Sequence, residues 1–208
     1  MRFTVILILL SASTAFSFQR GDGYEYLTPQ EKDMLEKTLE QSPQTSLCSR
    51  TVEFANKSRE EFLPRGPKSD FILVDKQRRL IHLLRDEQVL ATYRMALGGR
   101  PVGHKVMEGD ERTPEGLYFF DMKNERSDYH LSLRINYPNS RDLRSAKEKG
   151  ISDPGKDIMI HGLPNSWIKR KLIRHPRDWT RGCMAVTSSE VEEIFASVEL
   201  GTLIEICP

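Results

Sequence analysis

From Asp70 onward, short apolar runs alternate with polar breaks at the spacing of strands rather than helices. Phe71-Ile-Leu-Val-Asp75 and Leu80-Ile-His-Leu-Leu84 flank Lys76-Gln-Arg-Arg79, which predicts a hairpin. Val89, Ala91, Tyr93, Met95 and Leu97 recur at every second position, predicting a strand with all five on one face, stopped by Gly98-Gly99. Residues 117–120, 130–137, 158–160 and 202–206 read as further strands. Two stretches carry helical signals instead. Thr28-Pro29-Gln30-Glu31 combines an N-cap, a proline at the first helical position and a capping-box glutamate, predicting a helix to about Gln41; a second is expected over roughly 47–62. Thr187-Ser-Ser-Glu190 repeats the box ahead of Val191, Ile194, Phe195 and Val198, whose spacing predicts a core-facing helix. The whole pattern predicts a mostly β domain with packed helices (α+β), a barrel or sandwich preceded by a short helical N-terminal segment.

The first residues belong to a different pattern. Met1-Arg2 precedes an uninterrupted apolar run to Leu10, and small residues from Ser11 to Ser17 lead into the polar Gln19-Arg20-Gly21-Asp22. This is the three-part layout of a secretory signal peptide, so residues 1–18 are expected to be removed on export to the periplasm or cell envelope. The run is shorter than the roughly 20 residues that span a bilayer, and no later stretch replaces it. Residues 19–27 then read as a flexible lead, 19–67 as a helical appendage closed by Pro64-Arg-Gly-Pro67, and 68–208 as the main domain.

Composition narrows the partners. With 31 basic and 30 acidic residues the net charge is +1, which argues against a nucleic-acid partner. Three cysteines in an oxidising compartment leave one thiol unpaired. Cys48 and Cys207 lie near the two ends, and either a bridge between them pins both termini or both are buried small hydrophobes. Cys183 is the cysteine whose neighbours look chemical.

Acyl transfer by a thiol needs a base near the sulfur and donors aimed at the developing oxyanion. His161 ends an apolar strand and is followed by Gly162, and Cys183 follows Gly182 just ahead of a capped helix. Spacing alone leaves open the plainer arrangement, a histidine bonded within a turn and a buried cysteine. A metal site from His161, His175 and Cys183 lacks any standard ligand spacing, so neither metal nor cofactor is expected. The basic segment Lys169, Arg170, Lys171, Arg174, His175, Arg177 and Arg181 reads as a lid for carboxylates or as a solvated loop.

His161-Gly162, Thr180-Arg181-Gly182-Cys183, the Thr113-Pro-Glu-Gly116 turn and Leu133-Arg-Ile-Asn-Tyr-Pro-Asn139 together resemble the L,D-transpeptidase (YkuD-type) catalytic domain, over about residues 70–207. The resemblance implies a β-rich fold and a thioester acyl-enzyme formed on peptidoglycan stem peptides. It assigns Cys183 as nucleophile, His161 as base, Gly182 and Cys183 as backbone oxyanion donors, and Thr180 as a turn residue. Gly162, Tyr137 and Arg181 are secondary substrate-side candidates; a core tyrosine and an exposed arginine are the plainer readings of the last two. Two positions depart from the family pattern: Arg181 stands where a histidine is usual, and Ala185 where an arginine is usual. The same site resolved by water would be an L,D-carboxypeptidase or amidase, and a degenerate domain would be a non-catalytic wall-binding protein.

Overall fold

A computed structural model describes residues 19–21, 23–41, 46–55, 68–173 and 178–208. The expected signal segment, the Pro64–Pro67 boundary, the later half of the helix expected over 47–62, and Arg174, His175 and Arg177 lie outside those residues.

The domain is built on one mixed sheet. In chain order its strands are β1 (Gln19–Gly21), β2 (Tyr24–Tyr26), β3 (Phe71–Asp75), β4 (Leu80–Arg85), β5 (Gln88–Arg94), β7 (Gly116–Ser127), β8 (His130–Ile135), β9 (Met159–His161), β11 (Met184–Ala185) and β12 (Leu203–Cys207). They run side by side as β11-β9-β8-β7-β12-β3-β4-β5, with β2 on β7 and β1 on β2. β6 (Leu97–Gly98) and β10 (Asp178–Thr180) form a separate parallel pair. An isolated bridge between Ala96 and Ala185, with both backbone bonds at 2.8 Å, joins the end of the β5 region to β11 and closes the sheet on itself. Closure leaves β11 held on two sides, which removes an open edge beside the residues of interest.

The helices are α1 (Pro29–Gln41), α2 (Thr51–Ala55) after a 3-10 turn at Cys48–Arg50, α3 (Ser140–Glu148), α4 (Trp167–Leu172) and α5 (Ser188–Ser197). Both predicted capping boxes are present. Thr28 Oγ1 accepts from the Glu31 amide while Glu31 accepts the Thr28 amide at 2.7 Å, and Thr187 and Glu190 do the same for α5. Inside the closed sheet, Ile72, Val74, Ile81, Leu83, Tyr118, Phe120, Leu133, Ile135, Ile160 and Met184 pack with Val191 and Ile194 of α5.

Two expectations are revised by packing, and one helix is added. Residues 19–27 are not simply a flexible lead: β1 and β2 form a hairpin that pairs with β7 from Asn124 to Met122, so the appendage is part strand and extends the sheet. The five alternating residues from Val89 to Leu97 do not share one face. A bulge shifts the β4–β5 register between Leu83 and Leu84, so Ala91, Tyr93, Met95 and Leu97 enter the main core while Val89 packs in a second cluster with Leu47, Phe54 and Leu73. Helix α3 was not read from the sequence, although Asn139 and Asp142 form its capping box.

The second cluster also contains Cys207, and the structure joins it to Cys48 with the Cα atoms 5.4 Å apart. The bridge fastens the 3-10 turn and α2 to β12 in the middle of the sheet. Among the described residues, Cys48, Glu205 and Cys207 are the one close set of metal-type side chains. Their sulfurs are bonded to each other and Glu205 accepts the Leu47 amide at 2.8 Å, so no free thiolate is offered there.

Candidate active site

Parallel pairing sets the register of the site. β11 and β9 match Met184 with Ile160 and Ala185 with His161, so Cys183 falls beside Met159. Ile160 and Met184 point into the core, and strand alternation therefore turns Cys183, Met159 and His161 to the opposite, outer face. Residues 22 positions apart in the chain are thus diagonal neighbours on two adjacent strands.

His161 is 5% exposed. Its Nδ1 lies 2.7 Å from the Gly162 carbonyl, an acceptor only, so Nδ1 carries the proton and Nε2 is the free basic nitrogen. Burial lowers the imidazole pKa below its ordinary value, only partly offset by that carbonyl bond, and the ring is neutral at pH 7. Tyr129 and Trp179 flank it, with ring centroids 4.5 and 5.8 Å away and 6.2 Å from each other. Asn165 holds the Tyr129 turn by accepting the His130 amide at 3.0 Å and donating to the Ser127 carbonyl at 2.9 Å. Trp179 is carried by β10, whose Asp178 is tied to Arg79 at 2.9 Å and to the Leu97 amide at 3.1 Å. Gly162 makes room for this arrangement: a Cβ there would lie 2.9 Å from the Tyr129 carbonyl.

Cys183 is the free thiol, and the side chain is partly exposed. Its sulfur donates to the Asp157 carbonyl at 3.6 Å. Burial pushes the thiol up to about 11, the Asp157 carboxylate adds to the rise, and the Met159 amide and Lys105 oppose it. At rest the pair is therefore a neutral thiol and a neutral imidazole.

Thr180 shapes the turn that presents the sulfur. Its Oγ1 accepts from the Gly182 amide at 3.1 Å and donates to the Cys183 carbonyl at 2.7 Å. The Gly182 amide, expected as an oxyanion donor, is spent on that hydroxyl, so its part in this arrangement is to shape the turn. Gly182 has φ +128°, and a Cβ would lie 2.6 Å from the Arg112 carbonyl. Gly182→Ala is expected to lower thioester formation at least tenfold and to cost about 1–3 kcal/mol of stability. Parallel acylation kinetics and urea melts check this; wild-type values in both would show that the turn tolerates a side chain.

Tyr137 is a core residue. It is 4% exposed, donates to the Pro154 carbonyl at 2.8 Å, and stands edge-on to Tyr118 and His104, which is the core reading. Arg181 is exposed. Ala185 is 4% exposed and lies between His161 and Ala96 at the seam of the sheet, a closed place that suits a small uncharged side chain. Tyr129, Trp179, Asn165 and Asp157 are the site residues that sequence reasoning missed. Trp179 immediately precedes the Thr180–Cys183 motif, but nothing in the sequence links the other three to His161 or Cys183.

A sheet closed at Ala96–Ala185 with a cysteine and a histidine on adjacent strands defines a class. The chain belongs to the L,D-transpeptidase catalytic domain family, whose model matches residues 69–206. YafK of Escherichia coli K12, an L,D-transpeptidase by provisional assignment, is 28% identical over 134 residues, 62% of this chain and 46% of YafK. Among solved structures, Bdellovibrio bacteriovorus Bd1075 is 28% identical over 67% of this chain and 48% of that one, with a TM-score of 0.47. The helical cell shape determining protein Pgp2 of Campylobacter jejuni is 20% identical over 84% of this chain and 54% of that one, with a TM-score of 0.50. The chain spans about half the length of the curated relatives it matches.

Proposed function

We propose that this chain is an exported cysteine acyltransferase acting on peptidoglycan stem peptides, an L,D-transpeptidase working through a thioester. Residues 1–18 serve as the export signal in this reading, 19–67 as an appendage and 68–208 as the catalytic domain. The observation that carries the chemistry is the fixed tautomer of His161, with Nε2 free on the sheet face that also bears Cys183.

In the proposed reaction, Cys183 Sγ leaves the Asp157 carbonyl and attacks the substrate carbonyl as His161 Nε2 takes its proton. The Cys183 backbone N–H faces the developing oxyanion. Collapse expels an amine that receives the proton from His161, leaving a thioester. An incoming amine then gives its proton to His161 as it displaces the sulfur, forming the new amide, and His161 passes that proton to the departing sulfur, restoring the neutral pair. The Tyr129–Trp179 cover over His161 limits the access of bulk water to the base, which favours an amine as acceptor.

Defined muropeptides incubated with the protein, with and without an acceptor amine, and read by mass spectrometry test the proposal. A crosslinked product is expected with the amine. Shortened stems irrespective of amine would make the protein a hydrolase on the same site. Identical wall chemistry from Cys183→Ala would leave only a binding role.

A further inference from the structure

A strip of charge crosses the outer face of the sheet and ends at the sulfur. Lys32 of α1 donates to Asp121 of β7 at 2.6 Å. Asp121, with its side chain 6% exposed, takes Arg134 of β8 in a two-pronged contact, Nε at 2.9 Å and Nη2 at 3.2 Å. The remaining Arg134 arm reaches Asp157 at 3.1 Å. Asp157 adopts a left-handed backbone, φ +56°, and its carbonyl accepts the Cys183 thiol. Register explains the alignment: Arg134 pairs with Met159, and Met159 lies beside Cys183, so the three share one row across β8, β9 and β11.

We infer that Arg134 is a positioning residue for the nucleophile: it fixes and neutralises Asp157, whose carbonyl seats the thiol, and through Asp121 and Lys32 it couples this seat to helix α1. The left-handed region is unfavourable for a non-glycine residue, so Asp157 relaxes out of it unless contacts hold it there. The Arg134 contact at 3.1 Å is such a restraint. A guanidinium held by two carboxylates is also stiffer than a lysine would be. The inference rests on Cys183 being the reactive group, not on the substrate assigned to it.

The test needs no substrate. With Cys48 and Cys207 bonded to each other, Cys183 is the free thiol, and iodoacetamide capture can be followed by mass spectrometry. Asp157 and Lys105 of the 99–115 loop act on the thiol through their charge; His161 of β9 is its diagonal neighbour by register, and the exposed Arg181 lies two positions before it in the chain. R134Q strands the Asp157 carboxylate beside the sulfur. Capture at pH 8 is expected to slow about fivefold, and the pH midpoint of capture to move upward. R134Q/D157N removes the stranded charge while asparagine keeps the left-handed backbone, so the rate should return to near wild type. A merely structural role for Arg134 would lower the melting temperature and leave both readouts unmoved. A wild-type rate and midpoint in R134Q overturn the assignment, as does a double variant no faster than R134Q. Should R134Q fail to fold, K32M carries the test from a side chain 28% exposed; it is expected to slow capture about twofold, and a wild-type rate overturns the link to α1.

Discussion

Replacing His161 with glutamine is expected to lower the rate of thioester formation by about 10²–10⁴-fold, the usual contribution of a positioned general base. The size follows from the resting state of the pair. Burial holds the imidazole neutral and raises the thiol, so no stored thiolate is available when the base is removed. Glutamine can refill the space and bond the Gly162 carbonyl, but its amide takes no proton at neutral pH. The same reasoning fixes the pH profile of the unaltered protein. The base is lost only as pH falls through the lowered His161 pKa, so the acidic limb of kcat/KM should lie below 6.5. The thiol, raised towards about 11, should give no basic limb near pH 8. A profile falling on either side within pH 6.5–8.5 would instead indicate a preformed thiolate–imidazolium pair and would sink the neutral-pair mechanism.

Loss of the Cys48–Cys207 bridge, by a Cys48→Ser/Cys207→Ser double replacement, is expected to lower the unfolding free energy by roughly 3–5 kcal/mol. The bridge spans 159 residues, so in the chain-entropy account it restricts the unfolded ensemble strongly. It also fastens Leu47 and Phe54 over Leu73, Leu84 and Val89, where the apolar cover of that side of the sheet comes from the appendage. Urea melts of the double variant and of reduced wild-type protein should agree within error. Midpoints indistinguishable from oxidised wild type would show that packing alone holds the appendage. Iodoacetamide capture of Cys183 should survive the replacement, because the bridge lies on β12 and the thiol beside β11, four positions apart along the sheet path.

The elements that the chain specifies locally were legible in it. Continuous apolar runs marked β3 and β4, which are buried on both faces, and a period-two run marked most of β5, because both patterns record burial directly. Thr28–Glu31 and Thr187–Glu190 marked the starts of α1 and α5, because a capping box satisfies backbone groups within four residues. His161 and Cys183 were named from short motifs, and the motifs' glycines have local reasons, such as the positive φ of Gly182. What the sequence withheld depends on neighbours distant along the chain. The bulge that sends Val89 to the second cluster, the pairing of β2 with β7, and the bridge at Ala96–Ala185 are decided by which strands meet. Tertiary structure alone set Tyr129 and Trp179 around the His161 ring and drew Arg134 to Asp157, since no periodicity encodes a contact between segments distant in the chain. It also decided the protonation of the pair. Residue type sets the ordinary pKa of a thiol and an imidazole, but only packing determines how much water each one keeps.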